Sequence, residues 1–196
     1  MLTLVLLLIF LACVAALWFQ GLWSNLVTLI NMLIAMMLAF NYFEPVAKLL
    51  VNQERSYNYL YDYVVLWLLF AISFGILRLI TDFASPRRVV FNFWVEMVGR
   101  SVLAVWIAWL FIGFVCATMH TAPLGPHPLG FQQTPTSGNF LGMAPGRQWL
   151  AFMQSRSRGA LRGGSGGEFD PHSEFILKYY QRRVNFEKEP DYRVAN

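Results

Sequence analysis

Apolar residues run almost unbroken through the first part of the chain, and polar residues punctuate them at intervals that fit membrane-spanning helices. A bilayer core about 30 Å thick needs about 20 apolar residues in a helix, because only a helix or a closed barrel satisfies its own backbone there. Four segments meet that pattern, at residues 2–19, 26–43, 63–81 and 101–118. Between the first two, Gln20-Gly21-Leu22-Trp23-Ser24-Asn25 supplies a helix-ending glycine and a serine or asparagine suited to N-capping. So short a connection predicts an antiparallel helical hairpin. The third segment ends at Asp82 and the Ser85-Pro86 pair, the fourth before the proline- and glycine-rich stretch from Pro123.

Two connections carry a helical pattern of their own. In 44–62, Val46, Leu49, Leu50, Tyr57, Leu60 and Tyr61 recur near helical spacing opposite Lys48, Asn52 and Arg55. In 85–97, Ser85 suits an N-cap and Pro86 a first helical position, with Val89, Val90, Phe93, Trp94 and Met97 opposite Arg87, Arg88, Asn92 and Glu96. Both read as amphipathic helices lying in the interface, basic residues toward anionic headgroups. The expected fold class is therefore all-α: an integral membrane protein with four transmembrane helices in a compact bundle, two interfacial amphipathic helices and a C-terminal tail.

Small residues four apart occur in every span: Ala12/Ala16, Ala35/Ala39, Ala71/Gly75, Ala104/Ala108 and Gly113/Ala117. Such pairs let helix backbones approach closely where lipid removes the hydrophobic drive for association. Aromatic residues (Trp18, Phe19, Trp23, Tyr42, Phe43, Tyr57, Tyr59, Tyr61, Tyr63) sit at the span ends, where amphipathic rings favour the headgroup level.

The tail, 120–196, forms a second region. Proline and glycine dominate 120–146, so no regular element is expected there. Residues 147–162 read as a basic amphipathic helix with Trp149, Leu150, Phe152 and Met153 as its apolar patch, followed by the flexible linker 163–167. Asp170-Pro171 starts a last helix, with Glu174 early and Lys178, Arg182 and Arg183 late, an order that suits the helix dipole. Its face of Phe175, Ile176, Tyr179 and Tyr180 needs a partner: its own bundle, a membrane surface or another protein.

Composition agrees with lipid as the solvent. The chain is 57% hydrophobic and 13% charged, against about 25% charged in soluble domains, and the first charged side chain is Glu44. Residues 1–119 hold six Lys/Arg and five Asp/Glu; the tail holds nine and six, a net +3 too thin over its length to favour nucleic acid over lipid headgroups. A cleaved signal peptide is the rival reading of the first span. No Lys or Arg precedes its apolar run, which is also too long, so the span is expected to be retained.

No catalytic constellation emerges, and the expectation is a protein without enzymatic activity, cofactor or metal. His120, His127 and His172 lack ligand spacing, no phosphate loop or nucleophile elbow is present, and Cys13 and Cys116 lie inside apolar runs as small hydrophobes. Polar residues within the spans are few, and the notable ones are Thr28, Asn31, Ser73 and Arg78. Asn31 reads as an interhelical packing hydrogen bond and Arg78 as a snorkelling cation near Asp82.

The layout resembles the colicin V production protein (CvpA) family of small bacterial inner-membrane proteins. The residues that carry it are a span beginning almost at Met1, the turn at Gln20-Gly21 before Asn25-Leu26-Val27, a second span closed by Tyr42-Phe43-Glu44-Pro45, and a fourth entered through Val98-Gly99-Arg100. It covers about residues 1–120, with the family's glycine-rich entry to the fourth span reduced to Gly99. The resemblance implies a bacterial inner (cytoplasmic) membrane protein with a role in toxin production or export and envelope homeostasis, and no enzymatic activity. Two functions stand open: a scaffold or export accessory that recruits membrane-protein partners or self-associates, and an oligomeric channel or transporter subunit. Basic residues near the span ends (Arg78, Arg87, Arg88 and Arg100 against Lys48 and Arg55) place the 82–100 connection in the cytoplasm and both termini outside.

Overall fold

A computed structural model describes residues 1–51, 58–85, 89, 91–122, 130–131, 138, 140–157, 169–170 and 172–188. Among them the chain is all-helical: α1 (Leu2–Trp18), α2 (Leu22–Val51), α3 (Asn58–Ala84), α4 (Phe93–Met119), α5 (Pro145–Ser157) and α6 (Phe175–Lys188). The segments Leu22–Leu49, Leu60–Ala84 and Phe93–Met119 are long and apolar enough to cross a membrane. α1 is equally apolar but has 17 residues, about 25 Å at 1.5 Å per residue.

Successive helices α1 to α4 alternate in direction. The α1–α2 turn, the end of α3 and the start of α4 share one end of the molecule (the turn end), and the tail packs at the other. α2 and α3 form an antiparallel pair, while α4 touches α1, α2 and α5. Phe114 of α4 meets Phe40 of α2 at 5.7 Å and Phe70 of α3 at 4.7 Å between ring centroids. Large apolar residues left exposed include Leu4, Leu8 and Leu11 on α1, Ile30 and Ile34 on α2, Ile72 and Ile76 on α3, and Val102 and Val105 on α4.

Several sequence expectations change here. α1 and α2 run antiparallel, but α1 packs along α4 instead of pairing with α2. The three-residue turn Phe19–Gly21, with Gly21 at φ +83°, delivers the start of α2 onto α4. There Glu96 Oε1 accepts the Leu22 N–H at 2.7 Å. That carboxylate takes the capping role expected of Ser24 or Asn25, which instead lie inside α2. A Cβ on Gly99 would stand 2.7 Å from Leu22 Cδ1, so the single glycine at the α4 entry does permit close helix contact.

The two stretches read as interfacial helices are not separate elements among the described residues. α2 continues through Pro45 to Val51, and 58–62 is the first turn of α3; residues 52–57, including Tyr57, lie outside the described residues. Proline removes one helical hydrogen bond. Phe43 and Ala47, buried on either side of it, join the same core as the tail residue Phe175, and this packing carries the helix across. In 85–97, the Ser85 N–H donates to Thr81 O at 2.9 Å and so extends the bonding pattern of α3, the described residues 89, 91 and 92 are not helical, and α4 starts at Phe93 after Asn92. Residues 86–88 and 90 lie outside the described residues.

The small-residue pairs divide. Ala35/Ala39 and Ala104/Ala108 are fully buried. Ala12 and Ala16 are exposed, as is Ala71, and a Cβ on Gly75 would meet nothing within 4 Å. Gly113 and Ala117 seat the tail: a Cβ on Gly113 would lie 3.0 Å from Pro145 O, and one on Gly146 would lie 3.0 Å from Ala117 N. α5 thus approaches α4 backbone to backbone.

Candidate functional site

Two polar constellations stand out against the apolar body, one at each end of the α2–α3 pair. The first begins with Ser24, Thr28 and Asn31, which the 3.6-residue repeat brings to one face of α2. Opposite them α3 presents Arg78, Thr81 and Asp82. Asn31 Nδ2 donates to Thr81 Oγ1 at 2.8 Å, and Thr81 Oγ1 donates to Arg78 O at 3.0 Å. The Arg78 guanidinium donates Nη1 to Thr28 Oγ1 at 2.9 Å, Nη2 to Ser24 Oγ at 3.2 Å and Nε to Asp82 Oδ2 at 3.1 Å. Thr28 also donates to Ser24 O at 2.8 Å, and Ser24 Oγ to Gln20 Oε1 at 3.3 Å.

The seam contains the interhelical hydrogen bond expected of Asn31 and the expected contact of Arg78 with Asp82. Asp82 is more than half exposed, so that ion pair contributes little by itself; the guanidinium's value is as a three-way donor joining two helices. The sequence offers Ser24 only as an N-cap and Thr81 only as the end of a span. The Ser24-Thr28-Asn31 spacing was the available signal for Ser24, whereas Thr81 has meaning only opposite Asn31. Ser73, earlier on α3, is not among the seam's hydrogen-bonded groups.

The second constellation ties the tail to the other end of the pair. Phe40 lies at the centre of a set of rings, 6.2 Å from Phe43 and Trp149, 5.7 Å from Phe169 and 5.9 Å from Phe175. Around it the tail makes ionic contacts with the helices. Asp62, 6% exposed at the start of α3, accepts from Arg182, and the Tyr179 hydroxyl donates to the same carboxylate at 3.4 Å. Lys178 Nζ meets Glu44 Oε1 of α2 at 2.6 Å. Burial pushes the Tyr179 phenol well above its ordinary value; the Asp62 and Glu44 carboxylates push the same way and Arg182 opposes them.

The expected tail helices are both present, with moved boundaries. α5 ends at Ser157, and residues 158–168, which include the linker, lie outside the described residues. Trp149, Leu150 and Met153 are buried as the pattern required, and Gln148 Oε1 accepts the Trp109 indole N–H at 3.2 Å. α6 begins at Phe175, not at Asp170-Pro171. Asp170 is its cap, accepting the Glu174 and Phe175 N–H groups at 2.7 and 3.0 Å from a left-handed backbone at φ +46°. The face of Phe175, Ile176 and Tyr179 is buried on the protein's own helices, while Tyr180 is 45% exposed.

Among the remaining sequence candidates, His120 is buried with its ring 4.9 Å from that of Phe131, His172 is exposed, and His127 lies outside the described residues. Cys116 packs with Leu2 and Leu6 of α1, and Cys13 is half-buried. Among the described residues no cluster of three or more His, Cys, Asp or Glu side chains is placed to hold a metal ion.

Comparison with protein-family models, with curated proteins and with solved structures found no match to this chain.

Proposed function

We propose that this chain is a non-enzymatic protein of the bacterial inner membrane that crosses the bilayer four times, through α1 to α4, and serves as a scaffold or export accessory. By its resemblance to the colicin V production protein family, the process it serves is production or export of a colicin V-like toxin, together with envelope homeostasis. The observation that carries the membrane reading is the outward apolar face on all four helices combined with their alternating direction. α1 is about 5 Å short of a 30 Å core, a mismatch that local thinning or flanking residues absorb at modest cost. Its partners are lipid, including anionic headgroups, and other membrane proteins or further copies of the chain; Ala71/Gly75 is an open small-residue surface of the kind that helix association uses.

The test is deletion in the host followed by measurement of secreted toxin and envelope permeability, with complementation by the full chain. Reduced secretion and a leaky envelope, both restored on complementation, are the expected results; unchanged export and permeability would overturn the assignment.

An oligomeric channel or transporter subunit is the second reading, favoured by the polar stripe Ser24-Thr28-Asn31. It ranks lower because those groups bond to Arg78 and Thr81 within the same pair of helices. Ionic conductance of the purified protein in planar bilayers would reverse that order.

A further inference from the structure

α6 combines two features that an interfacial helix also uses: an apolar face (Phe175, Ile176, Tyr179) and cations beside it (Lys178, Arg182). In the docked state both are matched from within the protein, the face by the ring cluster around Phe40 and the cations by Glu44 and Asp62. The Lys178–Glu44 contact, with side chains 51% and 35% exposed, is screened by solvent and holds the helix weakly. Arg182 is 34% exposed over an Asp62 side chain that is only 8% exposed, so this second contact is the firmer one, and Asp62 must be replaced by a partner of like charge when the helix leaves. The dock lies at the tail end of α2 and α3, alongside the exposed Tyr42, Leu49 and Leu60. On the membrane reading above, that is the level of the headgroups.

We propose that α6 is an electrostatic switch that exchanges the carboxylates of Glu44 and Asp62 for the anionic headgroups of the adjoining leaflet. Docked, α6 covers Asp62 and closes the end of the α2–α3 pair. Released, it lies on the membrane with the same apolar face inserted and the same cations on lipid phosphates, and the two carboxylates face water. Whatever binds those carboxylates or the uncovered aromatic surface then depends on lipid charge.

The experiment uses the full chain in nanodiscs, with spin labels at Leu49→Cys and Gln181→Cys, both exposed positions, in a Cys13→Ala/Cys116→Ala background. Pulsed dipolar spectroscopy is expected to give one narrow short distance in phosphatidylcholine alone. Adding phosphatidylglycerol should raise the released-to-docked ratio roughly thirtyfold, the combined attraction of two basic residues to an anionic surface, and high salt should reverse the change. A Lys178→Gln/Arg182→Gln variant should lose the lipid response. Identical distributions in both lipids would overturn the proposal, as would a response that survives in the double variant. Failure of the chain to enter nanodiscs would overturn the membrane reading itself.

Discussion

Asn31 on α2 and Thr81 on α3 are 50 residues apart in sequence, yet Asn31 Nδ2 donates to Thr81 Oγ1 at 2.8 Å. The threonine hydroxyl donates its own hydrogen bond to the Arg78 carbonyl, so the amide meets a hydroxyl already oriented by α3 and ties the two helices at this register.

Replacing Asn31 by leucine should therefore lower stability by about 0.6 kcal/mol, the average for hydrogen bonds between membrane helices, and leave function nearly intact. Unfolding in bicelles together with export in cells checks both halves. Complete loss of function in an abundant, folded Asn31→Leu protein would instead assign this position to conduction or binding.

The seat of α5 should be sensitive to volume. Because a Cβ on Gly146 would already stand 3.0 Å from Ala117 N and Cys116 Cβ, Gly146→Val must push α5 off α4 or distort it. An overpacking cost of about 1–3 kcal/mol is expected. Trp149, 3% exposed in the native protein, reports it: its accessibility to aqueous quenchers should rise. An equally bulky change at Gly75, which faces open space, should leave it unchanged.

Docking of α6 should weaken in alkali. Tyr179 holds its proton more tightly when docked than free, because the docked phenol is buried beside two carboxylates. Its contribution is complete below the ordinary tyrosine value of about 10. That contribution is lost as pH rises through the raised docked value, since the released helix ionises first. The distance measurement described above, repeated along an alkaline titration, should show release in that window, and Tyr179→Phe should flatten it. Release that is unchanged in the phenylalanine variant would place the sensitive group elsewhere.

Orientation follows from the basic residues near the span ends. Arg78 bonds to Ser24 and Thr28 at the turn end, so it counts with Arg87, Arg88 and Arg100 against Lys48 and Arg55. On the four-span reading proposed above, this count predicts a cytoplasmic turn end and periplasmic termini. A phosphatase active only in the periplasm should work when fused after Asn196. Fluorescence from a cytoplasmic reporter at that position, without phosphatase activity, would invert the assignment.

The helical class and the positions of the long apolar helices were legible in the sequence because lipid leaves the backbone few options. Uninterrupted apolar runs must be helical, and a single glycine is enough to mark the turn at 19–21. The amphipathic stretches were harder. Periodicity finds an apolar face but does not say whether the helix is new or continues its neighbour, and in 44–51 tail packing settled that. The seam was half legible: Asn31, Arg78 and Asp82 stood out as polar residues in or beside apolar runs, while Ser24 and Thr81 looked like ordinary turn and span-end residues.

What the sequence determined by itself is local: which segments are helical and apolar, and which helix of the tail carries a sticky face. Each rests on the i, i+3 and i+4 relations of a short stretch. What only the tertiary structure decided is pairing. α1 lies on α4 and not on α2, Glu96 caps a helix 74 residues away, Gly113 and Ala117 receive α5 and not another span, and Asp62 finds Arg182 across 120 residues. A small residue or a charge states that something can come close; the identity of its neighbour is fixed when all the helices compete for the same faces at once.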